Sequence, residues 1–376
     1  MNCFPTRRNA LQSIASGFGY LAFASLAQQG RAQESDGDAP LAVKPTHRKA
    51  RAKRVIFLAM NGGPSHVDLF DHKPMLEDLE GRKAADSAVA GNAALMPSPF
   101  KFARHGESGQ WMSQLLPHLA KHADDLCLIN SMHTDLPNHS QAYIQMHTGS
   151  FQFTRPSMGA WTLYGLGTEN QNLPGFITVN PPSENGGAKN YGSAFLPAIY
   201  QATKIGTNQI PAFYAKLLGV DQEPGAPLKN MHNPLFDRQQ QREQLDLVRD
   251  LNAAKLARDV YHPEIEGAIE AFELAFRMQD EVPSLLDLSS ESQSTLDQYG
   301  VGSGLPTDRF GRQCLLARRM SEAGVRFIEL TAPTNWDHHF SLQTALPESC
   351  LATDQPIAAL LADLKSRDLL RDTLVI

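Results

Sequence analysis

Cysteine is scarce and scattered. The 376 residues hold four thiols, at Cys3, Cys127, Cys314 and Cys350. Their spacing fits neither a zinc cluster nor a disulfide framework. A cationic excess is missing as well: 34 Lys and Arg against 40 Asp and Glu leave a net charge of -6, which gives a nucleic acid no electrostatic reason to bind. The one basic run, Lys44 to Arg54, could meet an anionic surface but reads as a solvated linker. Internal repeats and low-complexity tracts are absent. So is any strongly apolar run of roughly 20 residues, the length that a membrane-spanning helix needs.

The amino terminus does carry an address. Thr6-Arg7-Arg8-Asn9-Ala10-Leu11 precedes an apolar stretch from Leu11 to Ala27 that is diluted by Ser13, Ser16, Gly17 and Gly19. These are the n-region and h-region of a signal peptide. The paired arginines match the twin-arginine type, which implies export of a folded protein to the periplasm or beyond. Residues 1–32 are therefore expected to be a signal peptide, cleaved after Ala27 or Ala32. Contact with a membrane is expected only if this segment stays attached. Residues 33–54 read as a polar basic linker and 55–376 as the folded domain.

Within that domain, Val55 to Met60 is an unbroken apolar run closed by Asn61-Gly62-Gly63-Pro64, the pattern of a strand buried on both faces. Trp111 to His122 has helical spacing, and Leu126 to Asn130 reads as a second buried strand. Ser140 to His147 is a short helix closed by Gly149, and Phe176 to Val179 is a third strand. The middle, about 208–309, reads as a helical insert, and a further helix runs from Asp308 to Ala323 ahead of Gly324. Val325 to Leu330 is a strand, Asp354 to Lys365 a helix, and Thr373 to Ile376 the start of another strand. Strands alternating with helices predict an α/β fold with a mostly parallel central sheet flanked by helices. An ending inside an apolar strand suggests that the domain is cut short.

Three loops at expected strand ends gather the chemistry, which is where open parallel sheets place ligands. The first, Asn61 to Asp71, offers Asn61, His66, Asp68 and Asp71 beside Gly62, Gly63 and Ser65, although Asp68 would equally serve as a helix cap. The second leads through Asn138, His139 and Ser140 into a helix whose N-terminus favours an oxyanion. Asn138 followed by Gln141 also resembles a plain capping box. The third contains Asn335-Trp336-Asp337-His338-His339, with Asp337 its only acid. A carboxylate and two imidazoles suit a divalent metal, zinc best, unless the cluster is ordinary surface polarity.

In this order, Gly62-Gly63-Pro64-Ser65-His66, Phe70 to Pro74, Asn138-His139 to Thr148-Gly149, Arg155 to Gly159 and Trp336 to His339 resemble the alkaline phosphatase and sulfatase superfamily. More narrowly, they resemble an exported family within it, catalogued as domain of unknown function fifteen-oh-one. The resemblance spans about Val55 to Ile376. It implies a metal-dependent hydrolase of phosphate or sulfate esters, acting on a small-molecule or polysaccharide ester. By resemblance His139 occupies the nucleophile position, with Ser140 as the fallback. Asp337 with His339, rather than His338, would bind metal, and Asn61 would stand where an acidic ligand is usual. Gly62, Gly63, Ser65 and Asn138 would face the substrate. Further ligands of the superfamily fall beyond Ile376, so the resemblance implies an incomplete metal site and little or no hydrolysis. The alternative is an exported binding or scaffold protein on the same fold.

Overall fold

The computed structural model describes residues 40–83, 93–206, 235–256, 258 and 263–376. Strand β1 (Arg54–Ala59) is followed by two single-turn helices, α1 (His66–Leu69) and α2 (Met75–Asp78), and by strands β2 (Phe102–His105) and β3 (Gln110–Ser113). A 3-10 segment (Leu119–Asp125) leads to α3 (His139–Thr148) and α4 (Met158–Leu166), then to β4 (Phe176–Val179) and β5 (Thr203–Ile205). Helices α5 (Arg238–Leu256), α6 (Pro263–Leu286), α7 (Gln293–Gln298) and α8 (Asp308–Glu322) come next, and β6 (Phe327–Thr331), α9 (Leu342–Ser366) and β7 (Thr373–Val375) close the order.

Five strands form one sheet in the order β5-β4-β6-β1-β7, and every pairing in it is parallel. This is the α/β architecture that the alternating pattern predicts. The two central strands show why their sequences read as continuous apolar runs: β6 is buried at all five positions, and Ile56, Phe57 and Ala59 of β1 are in the core. β7 lies on the sheet edge beside β1, with Leu374 half exposed. Ahead of β1, Leu41 is buried, and its carbonyl accepts from the Thr168 N–H and the Gln171 side chain.

Two expected elements are absent. Gln110–Ser113, the start of the expected helix from Trp111 to His122, is instead a strand paired antiparallel with β2. Gly106 and Gly109, at φ +68° and +64°, turn the hairpin, and Asp124 accepts from the Glu107 and Ser108 N–H groups in the turn. The leucines that mimic a helical face belong to the 3-10 segment and its approach, where Leu116 and Leu119 are buried. Residues Leu126 to Asn130 form no strand: they run as coil with Cys127 and Ile129 exposed. The parallel crossovers run instead through α3 and α4 from β1 to β4, and through α9 from β6 to β7. The helical middle holds α5, α6 and α7, while residues 207–234 of it lie outside the described residues, as does the expected signal peptide.

Candidate metal centre

The loops after three adjacent strands, β4, β6 and β1, meet at the C-terminal edge of the sheet. After β1, Asn61 and Gly62 are buried. Gly62 adopts φ +99°, and a Cβ there would lie 2.3 Å from Asn335 Oδ1 and 2.5 Å from the Asp337 nitrogen. Only glycine permits that approach of the loop behind β6. The approach is fixed by the Trp336 N–H, which donates to the Asn61 carbonyl at 2.9 Å, and by the buried Trp336 ring. Asn335 Oδ1 accepts the Asp337 N–H at 3.1 Å, a local turn that presents the Asp337 carboxylate outward.

Helix α3 supplies the third side. Its N-cap is Asn138, whose side chain accepts from the Ser140 and Gln141 N–H groups, and its C-cap is Gly149 at φ +75°. Asn138 is therefore the N-cap, which is the Asn138 half of the expected capping box, and it places His139 as the first helical residue. From the loop after β4, Asn185 joins these pieces: its Nδ2 donates to Asn61 Oδ1 at 2.6 Å, and its Oδ1 accepts the Ser140 hydroxyl at 2.8 Å. Asn185 holds φ +52°, a conformation that asparagine tolerates better than most residues. The Asn185-Gly186 pair carries a turn signal, but nothing in the sequence alone ties it to Asn61.

His139, Asp337 and His339 come together. His139 Nε2 lies 3.2 Å from Asp337 Oδ2, and His339 Nε2 lies 2.9 Å from Asp337 Oδ1. One donor atom from each falls within a 4.8 Å cluster, so the three can hold a single metal ion. With His139 42% and His339 72% exposed, the cluster faces solvent.

The other sequence candidates are placed differently. His338 turns inward, with Nε2 3.2 Å from Ser349 Oγ on α9. Burial lowers its pKa despite the opposing charge of Asp337. The Ser65 hydroxyl donates to the buried Asp68 carboxylate at 2.5 Å, an arrangement internal to α1. Asn61 and Ser140 are at the site but engaged with Asn185. Ser140 gives its proton to an amide oxygen, and among the described residues no base is hydrogen-bonded to its hydroxyl.

A family model covers residues 52–376. The chain belongs to the DUF1501 family, proteins of unknown function. The match takes in all three converging loops of this member. No curated protein and no solved structure matches the chain significantly.

Proposed function

We propose that the DUF1501 family, to which this protein belongs, is one of metal-dependent hydrolases of phosphate or sulfate esters on an alkaline-phosphatase-like fold, with zinc as the metal. The observation that carries the reading is the convergence of His139, Asp337 and His339 from two separate segments onto one solvent-facing point at the sheet edge. When bound, a divalent ion supplies polarisation of an ester oxygen and neutralisation of developing charge. The chain's own residues orient around it. Asp337 divides its two oxygens between the imidazoles, and Asn138 caps the helix that presents His139. Water is the nucleophile that this geometry favours, since the Ser140 hydroxyl is given to Asn185 and His139 is directed at Asp337.

The engagement of Ser140 and Asn61 by Asn185 favours a second reading, a metal-binding exported protein without turnover. Zinc-loaded protein offered an aryl phosphate and an aryl sulfate separates the two. Turnover that a chelator abolishes and Asp337→Asn removes supports the hydrolase. Zinc binding without turnover supports the second reading, and failure to bind zinc contradicts both. Residues 1–32 fit this function as a twin-arginine signal that delivers the domain to the periplasm or exterior. Among the described residues no helix is long and apolar enough to cross a membrane. The substrate class is a small-molecule or polysaccharide ester, in keeping with a net negative charge that disfavours nucleic acid.

A further inference from the structure

Beneath the metal centre, α3 lies across one face of the sheet. Phe57 and Thr178 are the register partners of Glu329, so the three side chains project from that same face. Glu329 is 1% exposed and His147 2% exposed, and His147 Nε2 lies 3.5 Å from Glu329 Oε1. The other ring nitrogen, Nδ1, is 2.7 Å from the Tyr143 carbonyl. A carbonyl only accepts, so Nδ1 carries the hydrogen. A neutral ring then directs a bare lone pair from Nε2 at a carboxylate oxygen, which is repulsive. The contact becomes attractive only with a proton in it, as imidazolium against carboxylate or as imidazole accepting from a carboxylic acid. Neither Nε2 nor Oε1 has a hydrogen-bond partner elsewhere. The other titratable groups at the cluster are Tyr143 on α3 and Tyr191 after β4. Both hydroxyls are pushed up by burial first and by the charge of Glu329 second.

The two residues occupy corresponding places in their elements. His147 follows His139 by eight residues on α3, and Glu329 precedes Asp337 by eight residues on the path through β6. We propose that Glu329 and His147 are positioning residues: a proton held between them docks α3 on β6 and thereby sets His139 opposite Asp337. The inference rests on the metal-binding reading of the triad. The imidazole ring also packs edge-on against Phe57, at 5.2 Å between ring centroids, so the docked helix meets both central strands.

The test uses the full chain labelled with 15N-histidine and followed by NMR at neutral pH. The Nε2 signal of His147, identified by its loss in His147→Gln, is expected to show a hydrogen shared with Glu329 and to stand apart from that of a bare ring nitrogen. In Glu329→Gln its Nε2 should shift to the unprotonated type. Glu329→Met, which cannot share a proton, is expected to weaken zinc binding by about tenfold, comparable to loss of an outer-shell support. Glu329→Gln, which can still donate an N–H to Nε2, should recover most of that affinity. The proposal is overturned by a wild-type His147 whose Nε2 signal is that of a bare ring nitrogen, or by a folded Glu329→Met that binds zinc like the wild type. Should Glu329→Met not fold, the wild-type NMR decides. A wild-type chain that binds no zinc at all removes the metal reading, and the positioning role with it. Intact zinc binding in Glu329→Met removes only the positioning role.

Discussion

Asp337 stands between two imidazoles with one carboxylate oxygen toward each. Asp337→Asn keeps the size of the side chain and removes its charge, and it is expected to lower zinc affinity by about a hundredfold or more, read by calorimetric titration. The neighbouring histidines should separate cleanly. His339→Ala is expected to cost at least about tenfold in zinc affinity. His338→Ala, whose ring points to Ser349, should stay within about threefold of the wild type, under ~1 kcal/mol. Gly62→Ala puts a methyl group against Asn335 and the Asp337 backbone at a φ of +99°. A loss of about 1–3 kcal/mol in chemical denaturation is expected for such strain, together with weaker zinc binding, since the displaced loop carries two ligands. The choice of His339 over His338 is available from the sequence only through family resemblance. What decides it physically is the Asn335 turn and the burial of Trp336, which no local pattern announces.

Helices α5 and α6 are pinned by a carboxylate in a different role. Glu273 on α6 is buried, accepts both terminal nitrogens of Arg242 at 2.7 and 2.8 Å, and accepts Arg249 at 2.6 Å, both arginines lying on α5. The Arg242 guanidinium foremost holds the Glu273 pKa below its ordinary 4.5. A depressed carboxylate contributes stability that is present above its unfolded pKa and lost as pH falls through the folded value. The packing of α5 on α6 is therefore expected to loosen as pH drops below about 4.5, more gently in Glu273→Gln, and hydrogen exchange along α5 would report it.

Elements of this kind were legible where one strong signal stood alone. β1, β4 and β6 are unbroken apolar runs, α3 is bracketed by Asn138 and Gly149, and α6 and α8 keep a helical period. The β2–β3 hairpin was not legible, because only Met112 and Ser113 of its eight residues are buried and strand alternation is hardly expressed. Its turn, Gly106 to Gly109, was the available clue. The expected strand at Leu126 to Asn130 failed for another reason: its apolar residues are not turned into the core, since Cys127 and Ile129 are exposed, and its Leu126 carbonyl is held by the Gln110 side chain of β3 rather than by a strand backbone.

At the scale of the molecule, one parallel sheet gathers residues that lie far apart in sequence. Asn61, His139, Asn185 and Asp337 are linked by contacts that run from β1 to α3, to the loop after β4 and to the loop after β6. That the loops after β1 and β6 would meet was legible from the rule that parallel sheets present their C-terminal ends to ligands, whereas the approach to α3 follows no strand and reaches the site through the helix start instead. The Asn185 link and the buried pair of Glu329 with His147 were not legible, since each joins residues with no shared local pattern. The most direct measurement is a zinc-edge anomalous difference map from crystals of the full chain grown with zinc. One peak per chain is predicted within about 2.0–2.2 Å of His139 Nε2, an Asp337 oxygen and a His339 nitrogen. A map with no peak among these residues, or with zinc bound only elsewhere, would contradict the metal centre.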